Sequence, residues 1–275
     1  MPCGKKTILC TVLVLCVCGF LLTYVRRVKE TTIFVITPTY SRSTQQAELV
    51  RLCTVFNLAG NIHWIVIEDA MRSNKGLNDF LKSCGIPYTL LSAQTPSSNG
   101  RNTRHNVRGS AQRNAALTWL RQNYRPFQTK GVVFFGDDDN TYHPQLFNEM
   151  RSIKRGGTWP VGLLTNSQWE GCMTSVANRR KIAGFWTNWK PTRRFPIDMA
   201  AFAINLDIVL THPNALFDYE TVGEQEGLIL SKLGFTNAFD LEPKADGCTK
   251  LLVWHTRSVQ PDTSVSPPKT VANLI

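Results

Sequence analysis

Short apolar runs alternate with amphipathic stretches along the first half of the chain. Apolar, β-rich runs at 32–37 (TIFVIT), 62–67 (IHWIVI) and 132–135 (VVFF) predict strands. Apolar residues at helical spacing over 45–56 and 111–120 predict helices between them. This β-α-β alternation predicts an α/β fold with a mostly parallel sheet, whose ligand crevice lies beyond the carboxyl ends of the strands.

The second half of the chain has a more mixed pattern. It predicts strands at 160–164, 201–206 and 251–254, and a helix at 224–233. Within the first half, the polar, basic and glycine-containing stretch 95–109 predicts a loop that leads into the helix at 111–120. We therefore expect one continuous body in two parts.

The N-terminal stretch 7–25 (TILCTVLVLCVCGFLLTYV) carries no charge and is long enough to cross a bilayer as a helix. Lys5 and Lys6 precede it, and Arg26 and Arg27 follow it. A cleaved signal peptide is the alternative, but its apolar core is usually shorter, and no small-x-small cleavage site follows before the arginines. We expect an uncleaved anchor, whose orientation the nearly balanced flanking charges leave open.

The chain is basic, with 31 Lys+Arg against 20 Asp+Glu and a formal net charge of +11. Such a field attracts anionic ligands, including nucleic acid, nucleotide phosphates, acidic glycans and lipid headgroups. No recognisable nucleic-acid-binding motif is present, and a membrane anchor conflicts with that function. Charge alone does not choose among the other anionic ligands.

Four of the eight cysteines lie widely spaced in the main body: Cys53, Cys84, Cys172 and Cys248. Their spacing is not that of a zinc site. In an oxidising compartment they can form one or two disulfides, and three full pairings remain open.

Three adjacent carboxylates, Asp137, Asp138 and Asp139, follow the predicted strand at 132–135. Adjacent carboxylates repel each other, and a hard divalent cation relieves that cost. A solvated acidic turn is the alternative for such a triplet. Because the triplet lies at a strand end, as do residues 37–40 and 68–69, we favour a site for a metal and a nucleotide.

Seven sequence blocks occur in order from one end of the body to the other: TPTYSR (37–42), IEDA (67–70), QRNAAL (112–117), DDDNTY (137–142), WPVGL (159–163), FPIDMAAFA (195–203) and LVWHTR (252–257). Together they resemble the β-1,3-glucuronosyltransferase family. The resemblance implies a GT-A type fold, with a Rossmann-like nucleotide-binding half joined to a mixed acceptor-binding half. It also implies a transferase that inverts an α-linked donor to a β-linked product.

The resemblance also implies the residues of a donor site. These are Thr37, Pro38, Tyr40, Asp69, Arg108, Arg113, Asp137, Asp138, His255 and Arg257. Asp139 resembles the family's manganese ligand, so Mn²⁺ is the expected cofactor. Taken without the family, Arg113 would be a solvated helix arginine and His255 a buried structural histidine.

Glu226 matches the family's general base, which removes the proton from the acceptor hydroxyl. Glu224 is its competitor, and both glutamates can instead be favourable charges in the first turn of a helix. The residues that resemble acceptor contacts are Glu170, Trp189, Arg193 and Asp198. Trp189 either stacks on a galactose ring or belongs to the core.

The implied function is transfer of glucuronic acid from UDP-glucuronic acid to a galactose-terminated glycan on a proteoglycan core protein. Trp189 favours the linkage-region acceptor Galβ1-3Gal-Xyl, because a tryptophan is typical of the linkage-region member of the family. The implied setting is the Golgi membrane, as a single-pass type II protein with a lumenal catalytic body and a homodimeric state. The alternatives are another donor sugar, N-acetyllactosamine-type acceptors, or a glycan-binding relative without catalysis.

The predicted organisation of the chain combines these inferences. It comprises a cytosolic tail (1–6), an anchor (7–25), a very short stem (26–31), a UDP-sugar-binding half (32–140), an acceptor-binding half (141–257) and a C-terminal tail (258–275). A stem this short would hold the catalytic body close to the bilayer.

Overall fold

A computed structural model describes residues 31–96, 107–164 and 166–259 of the chain. The predicted anchor at 7–25 lies outside the described residues. Within the described ranges, no helix has both the length and the apolar character needed to cross a membrane.

The described ranges form two sheets with helices packed around them. The strands are β1 (Thr32–Thr39), β2 (Ile62–Glu68), β3 (Tyr88–Ser92), β4 (Gly131–Phe135), β5 (Thr141–Tyr142), β6 (Gly156–Thr158), β7 (Val161–Leu164), β8 (Ser167–Ser175), β9 (Asn178–Trp186), β10 (Phe202–Asn205), β11 (Glu242–Pro243) and β12 (Val253–Trp254). The helices are α1 (Gln45–Ala59), α2 (Lys75–Ser83), α3 (Ser110–Asn123), α4 (Pro144–Met150), α5 (Leu206–Thr211) and α6 (Gln225–Lys232).

The larger sheet has the strand order β11-β6-β10-β4-β1-β2-β3. Strands β4, β1, β2 and β3 are parallel, and β10 lies antiparallel between β4 and β6. Ile33 pairs with Ile62 on one side and with Val132 on the other, so the three predicted strands are neighbours. The α/β fold with a mostly parallel sheet is confirmed.

The central strands are apolar along their whole length because helices cover both faces of the sheet. Ile33, Val133 and Phe134 are fully buried. From the helices, Phe56 of α1 contacts Trp64 of β2 and Phe147 of α4 with edge-on ring packing. This core holds the carboxyl ends of β1, β2 and β4 side by side.

The smaller sheet has the strand order β5-β12-β7-β8-β9. Here β12 is antiparallel to β5, which directly follows the acidic triplet. The pairing therefore brings the segment that contains His255 next to the carboxylates. Two of the predicted strands are shorter than expected, since 201–206 is a strand only over β10 and 251–254 only over β12.

Two disulfides settle the cysteine pairing that the sequence left open. Cys53 of α1 is bonded to Cys84, which follows α2. Cys172 of β8 is bonded to Cys248, which ends a turn of left-handed backbone. The second bond ties the β8–β9 hairpin to the C-terminal part of the body.

Candidate active site

A cleft of about 660 Å³ lies beyond the carboxyl ends of β1, β2 and β4, where the sequence predicted a ligand crevice. We call it the strand-end cleft. Eight of the predicted site residues line it: Pro38, Tyr40, Asp69, Arg108, Arg113, Asp137, Asp138 and Asp139. Its wall thus combines two arginines, a partly exposed tyrosine ring and four carboxylates.

The first two carboxylates of the triplet are paired with arginines. Arg113 donates to Asp137, and Arg42 forms an ion pair with Asp138 at 2.8 Å. Asp138 also accepts a 2.7 Å hydrogen bond from the Thr39 hydroxyl. Burial raises the pKa of Asp138 to about 6, although Thr39 and Arg42 both oppose that rise. Pairing therefore offsets much of the repulsion that the sequence predicted.

The third carboxylate has a different environment. Among the described residues, no side chain donates a hydrogen bond to the carboxylate of Asp139. Burial raises its pKa, and neighbouring Asp137 raises it further, while His255 opposes the rise. The backbone carbonyl of Asp139 is fixed by Arg51 at 2.8 Å and by the Thr256 hydroxyl at 2.6 Å. Asp139 is thus a fixed carboxylate that faces the cleft with free oxygen atoms.

A divalent cation suits this donor set. Carboxylate oxygens are ligands for hard cations, and a cation beside Asp139 would lower the cost of its burial. In the described part of the chain, no three His, Cys, Asp or Glu side chains are grouped so as to hold a metal ion by themselves. A metal at Asp139 would therefore need further oxygen ligands from a bound ligand or water.

Arg113 is held in place by the start of α3. Gly109 precedes the helix with a φ of +83°, and a Cβ atom there would lie 2.4 Å from Nη1 of Arg113. The guanidinium also lies over the ring of Phe217, 5.8 Å from its centroid. Glycine is therefore required both by the backbone and by the folded-back arginine. Arg113 is not a solvated helix arginine.

At the floor of the cleft, the predicted residue Asp69 is hydrogen-bonded in a group with Thr95 and Gln112, which the sequence did not single out. Asp69 accepts from the backbone nitrogen of Thr95 at 2.7 Å and from its hydroxyl at 2.6 Å. Gln112, which is buried, donates to the carbonyl of Ala93. Thr37 lies beneath, fully buried, and accepts from the indole of Trp64, so its side chain supports the strand end without lining the cleft.

A second, smaller cavity of about 190 Å³ contains the other group of predicted residues. We call it the Glu226 recess. It is lined by Leu164, Glu170, Trp189, Arg193, Ile197, Asp198, Gly223 and Glu226. All four predicted acceptor residues and the predicted base thus meet, although they are spread over 57 positions of the sequence. Trp189 is 45% exposed, which excludes a core role.

Glu226 lies in the first turn of α6 and faces the recess. Burial raises the pKa of Glu226 to about 7, and the Asp198 carboxylate contributes to the rise, while Arg193 and Arg113 oppose it. Glu224, two residues earlier, is exposed and paired with Lys190 at 3.0 Å. The two glutamates are therefore clearly distinct, and of the pair only Glu226 lines the recess.

His255 interacts with carboxylates of both cavities. Its Nδ1 lies 3.8 Å from a carboxylate oxygen of Asp198, an ion-pair distance that is too long for a hydrogen bond. Asp198 raises the pKa of His255, with Asp137 and Asp139 adding to the rise against the effect of burial. His255 is therefore coupled electrostatically both to the acidic triplet and to Asp198 of the Glu226 recess. Arg257 is exposed just beyond it.

The chain is similar to known proteins in sequence and in fold. The sequence model described as Glycosyltransferase family 43 matches residues 52–259. The human protein named galactosylgalactosylxylosylprotein 3-beta-glucuronosyltransferase 2 is 42% identical over 240 residues, which cover 86% of this chain and 72% of that protein. The Caenorhabditis elegans protein named galactosylgalactosylxylosylprotein 3-beta-glucuronosyltransferase sqv-8 is 43% identical over 248 residues, which cover 86% of this chain and 68% of that protein.

Among solved structures, S. aureus TarS 1-349 is similar in fold, with a TM-score of 0.51 and 14% sequence identity. The match covers 82% of this chain and 60% of that one, so this chain spans less than two thirds of TarS 1-349. At this identity the likeness concerns the fold alone. It confirms the predicted GT-A type architecture.

Proposed function

The chain belongs to glycosyltransferase family 43, and we propose on this premise that it transfers glucuronic acid from UDP-glucuronic acid to the 3-hydroxyl of a terminal galactose. The observation that carries the proposal is a pair of cavities that interact electrostatically, since Arg113 of the strand-end cleft acts on Glu226 of the recess. One has the charge pattern of a nucleotide-sugar site, and the other holds a carboxyl with a pKa of about 7. The relatives' names point to the same reaction.

The donor is proposed to lie in the strand-end cleft, with its sugar toward His255. Tyr40, whose ring is 47% exposed, offers an aromatic face for the base. Arg108 and Arg113 line the cleft and suit the diphosphate and the glucuronate carboxylate, because guanidinium donors match paired oxygens. This carboxylate recognition supports glucuronic acid over neutral sugars.

The proposed metal is Mn²⁺, held by Asp139 together with diphosphate oxygens of the donor. When bound, it would neutralise charge that develops on the leaving diphosphate. The free carboxylate oxygens of Asp139, beside paired Asp137 and Asp138, support this assignment. Arg51 and Thr256 would keep that carboxylate in position through its backbone carbonyl.

Glu226 is proposed to accept the proton of the galactose 3-hydroxyl. The oxygen then attacks the anomeric carbon of the sugar, and the bond from that carbon to the diphosphate oxygen breaks. UDP leaves with the bonding electron pair. A single displacement inverts the anomeric centre, which gives a β-linked product. A base with a pKa near 7 accepts a proton readily at neutral pH, which supports this role for Glu226.

The acceptor is proposed to be the proteoglycan linkage region, Galβ1-3Gal-Xyl, bound in the Glu226 recess. The exposed ring of Trp189 offers a stacking face for a galactose. Glu170 and Asp198 present carboxylate oxygens to sugar hydroxyls, and Arg193 presents donors. Relatives from human and C. elegans carry names that specify this acceptor, which supports the choice over N-acetyllactosamine.

We also propose that the protein acts as a homodimer in the Golgi lumen, anchored by 7–25 as a type II membrane protein. The charge-free length of that stretch is what supports the anchor. In sealed microsomes, the catalytic body should be protected from added protease until detergent is present. Degradation without detergent would reverse the proposed orientation.

A transferase assay tests the proposed reaction. The purified chain is offered a panel of UDP-sugars with a Galβ1-3Gal-xyloside and with an N-acetyllactosamine glycoside, with Mn²⁺ or with excess chelator. We expect transfer only from UDP-glucuronic acid, best to the linkage-region acceptor, and none in chelator. Equal use of a neutral UDP-sugar would contradict the donor assignment.

A further inference from the structure

The strand-end cleft has a buried arginine behind its wall. The side chain of Arg42 is only 7% exposed and does not line the cleft. Its guanidinium nevertheless touches two residues that do. It pairs with the carboxylate of Asp138 at 2.8 Å, and its central carbon lies 4.4 Å from the centroid of the Tyr40 ring.

Two further contacts fix Arg42 itself. Its Nη1 donates to the backbone carbonyl of Tyr40 at 3.2 Å, and its Nη2 forms a close ion pair with Glu48. Glu48 lies in the first turn of α1 and is 2% exposed. A carboxylate buried this deeply is costly unless it is paired, and Arg42 is its partner. The structure therefore holds Arg42 in one place with a buried counter-charge.

These contacts converge on the nucleotide side of the cleft. Arg42 sets the position of the Tyr40 ring through a cation–π contact and through a hydrogen bond to the backbone carbonyl of Tyr40. The position of the Asp138 carboxylate is set through a charge-assisted pair. One guanidinium thus couples an aromatic ring and a hydrogen-bond acceptor that both line the strand-end cleft.

We propose that Arg42 is a positioning residue for the donor nucleotide: it fixes the Tyr40 ring and the Asp138 carboxylate relative to each other, without touching the nucleotide. This inference rests on the proposed function, since it takes a uridine diphosphate as the ligand of the strand-end cleft. Arg42 acts on ground-state binding, away from the bond that breaks. Its loss should therefore weaken donor binding and leave the chemical step unchanged.

Arg42→Lys is the variant that tests the inference. Lysine keeps the positive charge, but a compact ammonium cannot pair with Asp138 and Glu48, reach the Tyr40 carbonyl and lie flat on a ring together. We expect the Kd for UDP with Mn²⁺, measured by calorimetry on the full chain, to rise about tenfold, as for the loss of one strong charge-assisted hydrogen bond. KM for UDP-glucuronic acid should rise similarly, with kcat within about twofold of wild type.

Arg151→Lys is the matched control. Arg151 is a buried arginine at the C-terminal end of α1, where it donates to the backbone carbonyls of Ala59 and Gly60. Both substitutions should lower the melting temperature, but Arg151→Lys should leave the Kd for UDP unchanged. Glu48→Gln is the second variant, used if Arg42→Lys does not fold. It keeps the volume, removes the charge that restrains Arg42, and should weaken UDP binding about threefold.

A double variant tests whether the effect runs through the ring. In a Tyr40→Leu background, Arg42→Lys should raise the Kd for UDP by clearly less than in the wild type, because the restrained ring is already gone. Fully additive effects would contradict the inference.

The outcomes separate this inference from the proposed function. A wild type that binds UDP while a folded Arg42→Lys variant binds it equally well would overturn the role of Arg42 alone. A lowered kcat with unchanged KM would also overturn it, because that result places Arg42 in the chemical step. A wild type that binds no UDP would overturn the proposed function and this inference with it.

Discussion

Replacing Glu226 by glutamine is expected to make the protein more stable while it stops transfer. The pKa of Glu226 is about 7 in the folded state against an ordinary 4.5. Between these values the unfolded chain has released the proton and the folded chain retains it. The carboxyl therefore lowers the free energy of unfolding as the pH rises through this window, and the full cost is present above pH 7. Glutamine carries no charge, so the cost disappears.

The structure sets the size of the effect. A rise of the pKa from 4.5 to about 7 corresponds to about 3 kcal/mol at pH 8 and to about 1 kcal/mol at pH 5. For a body of this size, the melting temperature changes by roughly 2–4 °C per kcal/mol. Glu226→Gln should therefore melt about 6–12 °C above the wild type at pH 8 and about 2–4 °C above it at pH 5.

The assay pairs thermal unfolding at both pH values with turnover under saturating UDP-glucuronic acid. Turnover should fall by about a hundredfold or more, because the amide cannot accept the hydroxyl proton, while UDP binding is retained. Glu224→Gln is the matched control, since Glu224 is exposed and paired with Lys190, and it should change neither property much. A Glu226→Gln variant with normal turnover, or with no gain in stability at pH 8, would refute the reasoning.

Three further predictions concern the cleft and the recess. Asp139→Asn should remove the Mn²⁺-dependent part of UDP binding in calorimetry. Mn²⁺-stimulated binding that survives in this variant would mean that another residue is the metal ligand. Gly109→Ala should displace the Arg113 guanidinium, because the new Cβ would lie 2.4 Å from it, and should raise KM for UDP-glucuronic acid about tenfold; unchanged kinetics would refute this contact. Asp198→Asn removes a carboxylate that raises the pKa of Glu226, so the midpoint of kcat/KM against pH should fall below about 7, and a midpoint that stays or rises would contradict the assignment.

The sequence predicted the position of the cleft well, for a local reason. The apolar runs that became β1, β2 and β4 are each followed by polar residues, and parallel strands bring their carboxyl ends to one edge. By contrast, the β8–β9 hairpin was not predicted, because NRRKIAGFW lacks a regular alternation of apolar and polar residues. Its strands are held by pairing with each other and with β7, which no local pattern reveals.

The charge balance of the site could not be predicted from the sequence. Three adjacent aspartates predict a bound cation. In the structure, however, Asp137 pairs with Arg113, which lies 24 positions away in the sequence, and Asp138 pairs with Arg42, which lies 96 positions away. Likewise, nothing in the spacing of Glu224 and Glu226 decides which carboxyl lies among the predicted acceptor residues. In the structure, Glu226 lines the recess with them, while Glu224 is half exposed and pairs with Lys190. The preference for Glu226 over Glu224 came from the resemblance to the family alone.

The most direct test of the central claim is the structure of the product itself. The purified chain is incubated with UDP-glucuronic acid, Mn²⁺ and a Galβ1-3Gal-xyloside, and the product is analysed by NMR for the position and the anomeric configuration of the new linkage. The account predicts one glucuronic acid, β-linked to the 3-position of the terminal galactose. An α-linked product, another position of attachment, or hydrolysis of the donor without transfer would contradict it.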